Sequence, residues 1–206
     1  MICGYRRLLS LDPQWKSKRV FLQFDGAGHI ATVFLNGQAL VTHRCGYTAF
    51  RVEITGAVHA GENRICVRLD TTENPAVPPF GFVIDYLTYG GLYREVWLDI
   101  RETSMISDVF VTTPDLHTAN VAITAENADG CAAQVEIIDG NGMVAGRSEC
   151  APVGTVKLNV PSAKVWDTEC PNLYTCRVSL CKDGKTVDVQ EVKFGFRTAQ
   201  FKSDGF

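Results

Sequence analysis

The sequence predicts an all-β protein built from two successive β-sandwich domains. Short runs in which apolar and polar residues alternate recur along the whole chain, and Gly, Asn, Asp or Pro bounds each run. No window of twelve residues has the apolar spacing of an amphipathic helix. A length of 206 residues suits two domains of about 100 residues each, and a hydrophobic fraction of 46% is enough for two separate cores.

The first half of the chain contains five predicted strands and one predicted hairpin. The hairpin turn is Asn36-Gly37, because a type I′ turn requires positive φ at both central positions and this dipeptide tolerates it. Residues 38–41 form the return strand of the hairpin. The strands are predicted from β-branched and aromatic runs at residues 19–24, 31–35, 50–54, 64–69 and 92–98.

A second series of strands begins near Ser104 and predicts an immunoglobulin-like sandwich. Turn signals roughly every 8–12 residues are typical of that fold, and Asp183-Gly184 is one of them. The predicted strands lie at residues 108–112, 121–124, 133–138, 155–160, 174–180 and 186–194. We therefore place the first domain at residues 1–103 and the second at residues 104–199, with residues 200–206 as a connecting segment.

The composition argues against several classes of partner. The net charge is −3 and no block of Lys or Arg occurs, which disfavours nucleic acid and anionic membrane surfaces. No apolar run approaches the roughly 18 residues that cross a bilayer. The eight cysteines form no Cys-x-x-Cys pair and the four histidines do not lie at ligand spacing beside them, so we expect no metal site and no cofactor. Reduced thiols and the lack of a glycosylation sequon favour a cytoplasmic setting.

The most informative segment is a loop of about 20 residues that runs from Thr71 to Gly91. Loops of this length in a compact domain are usually functional or disordered. Disordered segments are poor in aromatic residues, whereas this loop contains Phe80, Phe82, Tyr86 and Tyr89. The loop is therefore the first place to look for a functional site.

Short motifs in a fixed order resemble one enzyme family. The motifs are Val33–Gly37, His43–Thr48, Gly61–Asn63, Asp85–Val96, Val165-Trp166, Pro171–Tyr174 and Phe194–Arg197. Together they resemble the N-terminal sugar-binding domain and the immunoglobulin-like second domain of glycoside hydrolase family 2, which includes β-galactosidases, β-glucuronidases and β-mannosidases. The resemblance covers nearly the whole chain and implies a jelly-roll-like, galactose-binding-type sandwich for the first domain.

The resemblance further implies that the chain is a non-catalytic N-terminal fragment of such an enzyme. Family members begin with additional strands before Gly4–Arg7 and end with a (β/α)8 barrel that carries both catalytic carboxylates. Residues 201–206 resemble the start of the connection into that barrel. The family's acid/base glutamate lies in an Asn-Glu pair, which this sequence lacks, so we expect no catalytic residue here and no hydrolysis by the chain alone. The run Asp85–Val96 is closest to β-galactosidases and implies retaining hydrolysis of terminal β-D-galactosides by the parent enzyme.

By the same resemblance, Asp85 is the substrate-binding residue. It matches the aspartate with which the family's first domain accepts hydrogen bonds from sugar hydroxyls, and charge-assisted bonds of this kind fix orientation. The residues alone leave open a turn aspartate or an ion pair with Arg94. Tyr86, Tyr89 and Phe82 are candidate loop contacts that could stack on a sugar ring, with packing beneath the loop as the alternative.

Three residues that follow the loop have structural interpretations. Gly90 and Gly91 are expected to supply positive φ or a close approach of the backbone. Arg94 is expected to tie the loop down through a carboxylate, because its planar guanidinium binds that group with two parallel hydrogen bonds.

Further structural expectations concern one turn and the second domain. His43 is expected to be a hydrogen-bonded residue of the turn at residues 43–49, where Cys45 and Ala49 replace a glycine and a proline that are usual in the family. Trp166 and Tyr174 are expected in the core and at the corner of the second sandwich.

Three functional hypotheses remain open from the sequence. The first is the pair of non-catalytic domains just described, with a β-galactoside and the catalytic barrel as partners and a β-glucuronidase or β-mannosidase as alternative parents. The second is a stand-alone carbohydrate-binding module that uses the loop at residues 71–91. The third is a structural or adhesive pair of sandwiches. Faces that would pack on a barrel are expected to be exposed, which favours a homo-oligomer.

Overall fold

The computed structural model describes residues 1–72, 74–78, 89–200 and 203. In this part of the chain there are fourteen β-strands and one short 3-10 helix, and no α-helix is present. The chain divides into two units, Met1–Arg101 and Glu102–Phe206. The predicted all-β class is confirmed.

The first unit contains two antiparallel sheets. Its strands are β1 (Ile2–Ser10), β2 (Arg19–Phe24), β3 (Ile30–Leu35), β4 (Gln38–His43), β5 (Phe50–Glu53), β6 (Glu62–Asp70) and β7 (Val96–Arg101), with the 3-10 helix at Pro13–Ser17. One sheet has the order β1-β6-β3-β4 and the other the order β5-β2-β7. Alternate residues of both sheets fill the space between them, among them Val20, Leu22, Phe24, Val33, Leu35, Val67 and Leu69.

The predicted hairpin is present and is fastened to the neighbouring strand. Asn36 and Gly37 have φ values of 52° and 89°, as a type I′ turn requires. Asn36 accepts a hydrogen bond from the backbone N–H of Arg64 and donates one to Oδ1 of Asn63. Asn63 is fully buried, and it also bonds the N–H and the carbonyl of His59. These two asparagines thus join the β3–β4 turn to the start of β6.

The second unit has the strand pairing of an immunoglobulin-like sandwich. Its strands are β8 (Met105–Thr112), β9 (Thr118–Glu126), β10 (Cys131–Ile138), β11 (Val144–Cys150), β12 (Gly154–Asn159), β13 (Tyr174–Lys182) and β14 (Lys185–Phe194). They form sheets with the orders β11-β10-β13-β14 and β12-β9-β8. The core between them includes Ile106, Val121, Ile123, Val135, Ile137, Val178, Leu180 and Phe196.

The aromatic residues of this unit occupy different places. Tyr174 is 5% exposed at the start of β13, and its hydroxyl accepts a hydrogen bond from the backbone N–H of Lys164, which is the contact of a tyrosine corner. Trp166 is half-buried and lies outside the core, contrary to the sequence expectation. Its backbone N–H bonds the carbonyl of Phe196, and the Arg197 guanidinium lies 5.0 Å from its ring.

The structure differs from the predicted strands at three places. β1 and β11 are not predicted, because their exposed sequences lack a regular apolar alternation. The strand predicted at residues 92–98 is instead β7 at Val96–Arg101, and the chain from Leu92 to Glu95 is not a strand. That irregular stretch holds the side chains that fasten the loop described below.

All eight cysteines are free thiols. Burial in the second core raises the pKa of the Cys176 thiol to about 12, so this residue behaves as a small apolar side chain. Within the described ranges, no helix is long and apolar enough to cross a membrane.

Candidate functional site

The end of the loop between β6 and β7 is fastened to another connection by a pair of backbone hydrogen bonds. The N–H of Gly28 donates to the carbonyl of Gly91, and the N–H of Gly91 donates to the carbonyl of Gly28, both at 3.1 Å. Gly28 lies in the segment that connects β2 to β3. The end of the loop is therefore attached to the β2–β3 connection. This bridge sets where the chain enters β7.

The two glycines at this end of the loop have no room for a side chain. A Cβ atom on Gly90 would overlap the methyl group of Thr71, where the loop begins. Gly91 has a φ of 105°, and a Cβ atom there would lie 2.8 Å from the hydroxyl oxygen of Tyr5. The close approach of backbone segments therefore accounts for both glycines.

Tyr93 holds the same stretch against two other turns. Its hydroxyl donates a hydrogen bond to the carbonyl of Gly46. Its ring packs edge-on against Tyr89, with centroids 5.5 Å apart, and the Arg94 guanidinium lies 5.4 Å from the ring centre. A Cβ atom on Gly26 would come within 2.9 Å of the Tyr93 ring. From the sequence, Tyr93 has no predicted role beyond its place in the resemblance motif, although the small residues at positions 26–28 indicate that a bulky group approaches there.

The turn that receives Tyr93 is built on a stack of aromatic rings. His43 stacks on Phe50 with centroids 4.3 Å apart, and Phe50 stacks on the buried Phe24 at 4.6 Å. His43 Nε2 and Thr48 Oγ1 lie 2.8 Å apart, within hydrogen-bond distance. This contact closes the turn, and it is the kind of structural bond expected for His43.

Cys45 occupies the same turn. Hydrogen bonds from the Thr48 hydroxyl and from the backbone N–H groups of Tyr47 and Thr48 hold the pKa of the Cys45 thiol below its ordinary value. Cys45 therefore supplies an acceptor for the turn's own donors.

Arg94 has partners other than the expected carboxylate. Its guanidinium donates to the backbone carbonyl of Asp25 at 3.5 Å and covers the Tyr93 ring. Among the described residues, no ion pair with Arg94 is present. The Asp25 carboxylate instead accepts a hydrogen bond from the indole N–H of Trp97 at 3.3 Å and one from Gln23.

Most of the predicted sugar contacts lie outside the described residues. These are Asp85, Tyr86 and Phe82, together with Phe80. Tyr89 lies within the described part, and 68% of its surface is exposed beside the anchored end of the loop. No group of three or more His, Cys, Asp or Glu side chains that could hold a metal ion is found in the described ranges.

A separate apolar cleft of about 490 Å³ opens between the sheets of the first unit, beside β1 and β7. Aliphatic side chains of both sheets line it, including Leu22, Ile65 and Leu98, and the charged residue that faces it is Arg7, whose strand partner Ile65 is buried. Sugar hydroxyls require matching polar partners when they leave water. Most of the lining of this cleft is apolar, whereas the sequence of the loop contains a carboxylate and several aromatic residues.

Comparison with known proteins identifies both units. The model of the glycosyl hydrolases family 2 sugar binding domain matches residues 2–101, and the model described as glycosyl hydrolases family 2 matches residues 104–197. A β-galactosidase of Thermoanaerobacter pseudethanolicus is 31% identical over 222 residues, which covers 99% of this chain and 29% of the relative. A putative β-glucuronidase of Formosa agariphila is 32% identical over 211 residues, which covers 98% of this chain and 26% of the relative.

A solved structure agrees in fold. The β-glucuronidase of Bifidobacterium dentium, complexed with coumarin-3-O-glucuronide, aligns with a TM-score of 0.85 at 24% identity and covers 98% of this chain and 40% of that one. The chain thus spans less than half of the length of each of these three proteins. It belongs to glycosyl hydrolase family 2 and consists of that family's sugar-binding domain followed by its immunoglobulin-like domain.

Proposed function

We propose that this chain helps bind the substrate of a family 2 glycosidase that hydrolyses terminal β-D-galactosides with retention, and that it performs no bond cleavage itself. The observation that carries the proposal is the anchored end of the loop before β7. The Gly28–Gly91 bridge and the Tyr93–Gly46 hydrogen bond give the loop a fixed exit. A fixed exit restricts where Asp85, six residues before Gly91, can reach, and binding groups must be held in place before substrate arrives.

In this proposal Asp85 positions the sugar. Its carboxylate accepts hydrogen bonds from two sugar hydroxyls, and such charge-assisted bonds are about twice as strong as neutral ones. The exposed ring of Tyr89 packs on an apolar face of the sugar. Cleavage needs a proton donor and a second carboxylate roughly 5–9.5 Å apart, and we assign both to a catalytic barrel that follows these domains. The role requires neither a metal ion nor a cofactor bound to this chain.

The choice of galactoside rests on the run Asp85–Val96 and on the T. pseudethanolicus relative, which is named as a β-galactosidase. The second candidate is a β-glucuronide, because relatives of similar identity carry that name, including one of Bacteroides fragilis at 32%. The two substrates differ at two carbons. C6 is a hydroxymethyl group in a galactoside and a carboxylate in a glucuronide, and the C4 hydroxyl is axial in a galactoside and equatorial in a glucuronide.

Kinetics of the complete enzyme that contains this chain test the assignment. We expect kcat/KM for p-nitrophenyl β-D-galactoside to exceed that for the β-D-glucuronide, and Asp85→Asn to lower it roughly 100-fold, since two charge-assisted bonds are weakened. Asp108→Asn, an exposed carboxylate on β8, is the matched control and should leave kcat/KM unchanged. A preference for the glucuronide would favour the second candidate, and full activity of Asp85→Asn would remove that residue from the site.

Two measurements on the 206-residue chain complete the test. Hydrolysis of either chromogenic substrate by the purified chain would contradict a non-catalytic role. Calorimetry with galactose and lactose should show no binding, since we assign the rest of the subsite to the catalytic barrel. Binding that is millimolar or tighter and is lost in Asp85→Ala would instead support a stand-alone carbohydrate-binding module.

A further inference from the structure

The outward face of the sheet β1-β6-β3-β4 carries a cluster of arginines. Along β6, residues 63, 65, 67 and 69 are buried, so Arg64, Cys66 and Arg68 point away from the core. Strand register places Arg6 opposite Cys66 and therefore on the same face. Arg6, Arg64 and Arg68 are all exposed.

The spacing of these arginines follows from strand geometry. Arg64 and Arg68 are four residues apart on β6, which corresponds to about 13 Å between their Cα atoms. Arg6 on the neighbouring strand lies level with the midpoint between them. The three arginines therefore form a triangle about 13 Å long, which is long enough to meet more than one anionic group at once.

Other side chains complete this surface, which we call the arginine face. Phe34 lies beside Cys66 on the far side from Arg6, and it is half-buried. Thr32 is level with Arg68 and Thr42, and the hydroxyl oxygens of the two threonines are 3.1 Å apart. The arginine face thus combines three cations with one aromatic ring and two hydroxyl groups.

The positive charges on this face have little internal compensation. Arg68 pairs with Asp70 at 3.4 Å, but within the described ranges neither Arg6 nor Arg64 forms an ion pair. Arg6 lies diagonally across from both Arg64 and Arg68, within reach of long side chains, and like charges at such distances repel each other. A bound anion would reduce the repulsion between the arginines. A guanidinium group binds a carboxylate with two parallel hydrogen bonds.

We propose that the arginine face binds a carboxylated polysaccharide, a polymer that contains uronic acid residues. The carboxylates pair with the arginines, the Phe34 ring packs on an apolar sugar face, and the threonine hydroxyls exchange hydrogen bonds with sugar hydroxyls. Glu62 and Asp70 lie at the two ends of β6 and limit the length of the positive cluster to about 13 Å. This limit disfavours a long nucleic acid or a membrane, both of which would extend over the acidic ends. The arginine face is formed by residues outside the loop that carries Asp85, so the inference does not rest on the proposed function.

Affinity electrophoresis of the 206-residue chain tests the proposal. Native gels contain polygalacturonate, neutral dextran, dextran sulfate or duplex DNA. We expect retardation in the polygalacturonate gel and none in neutral dextran, and the retardation should weaken as salt is added. The triple variant Arg6→Gln, Arg64→Gln, Arg68→Gln should bind polygalacturonate roughly tenfold more weakly or worse.

A matched variant controls for net charge. Arg147→Gln, Arg177→Gln and Lys193→Gln remove the same number of charges from the second unit, and these changes should leave the retardation intact. Circular dichroism establishes that each variant is folded. The proposal is overturned if the folded wild-type chain is not retarded, if the two triple variants behave alike, or if dextran sulfate or DNA retards the chain more strongly than polygalacturonate does.

Discussion

At the scale of single residues, the loop before β7 depends on contacts between positions that are far apart in sequence. Tyr93 bonds Gly46, Gly90 faces Thr71, and Gly91 pairs with Gly28. The Gly90-Gly91 dipeptide indicates from sequence alone that the backbone needs freedom there. Its partners could not be derived in the same way, because no local pattern encodes which distant turn a residue will meet.

Tyr93→Phe should destabilise the first unit by about 1–2 kcal/mol, because it leaves the partly buried carbonyl of Gly46 without its donor. The ring and its packing against Tyr89 are preserved, so the change isolates the hydroxyl. Urea unfolding followed by tryptophan fluorescence measures the effect, since Trp15 and Trp97 both lie in this unit.

The control for this measurement is Tyr89→Phe. Tyr89 is 68% exposed, so the loss of its hydroxyl should change the free energy of unfolding by less than about 0.5 kcal/mol. Equal unfolding curves for the wild-type chain and Tyr93→Phe would show that the hydroxyl does not fasten the loop.

At the scale of elements, burial decides which strands can be predicted. β3, β6, β10 and β13 alternate between buried and more exposed residues, so a period of two is visible in the sequence. β1 lies at a sheet edge and most of its residues are exposed, so the sequence Arg6–Leu9 shows no alternation. The strand exists because β6 pairs with it along nine residues. That information resides in the partner strand rather than in β1.

The hairpin turn and β6 are joined by a buried amide, and its loss should be costly. Asn63→Ala removes the acceptor used by the N–H of His59 and by the Asn36 side chain, and it also removes the donor to the His59 carbonyl. Unsatisfied buried polar groups cost about 1–3 kcal/mol each. We expect the first unit to lose roughly 2–4 kcal/mol, measured by thermal and urea unfolding.

Asn159→Ala is the matched control for this substitution. Asn159 is exposed at the end of β12, and its replacement should change stability by less than about 0.5 kcal/mol. If Asn63→Ala is no less stable than Asn159→Ala, the asparagine pair does not hold the hairpin to β6.

At the scale of the whole molecule, each unit has its own core. The buried residues form two separate clusters, one in residues 1–101 and one in residues 102–206. Each cluster contains residues from both sheets of its own sandwich. This organisation follows from the two series of strand runs in the sequence, since each series contains enough apolar residues to fill one sandwich. The exposed apolar side chains on β1 have no such explanation within their own unit.

Those side chains lead to a prediction of self-association. Ile2, Tyr5 and Leu8 are 56%, 43% and 50% exposed on a strand that pairs only with β6 among the described strands. An edge strand with exposed apolar residues favours pairing with another chain. We expect the weight-average mass in sedimentation velocity to rise with protein concentration. Leu8→Lys should reduce that rise, because it replaces an exposed apolar side chain by a third positive charge beside Arg6 and Arg7. Met143→Lys places the same charge on an exposed turn of the second unit and should leave the association unchanged. A single monomeric species at every concentration, or equal behaviour of the two variants, would contradict association through β1.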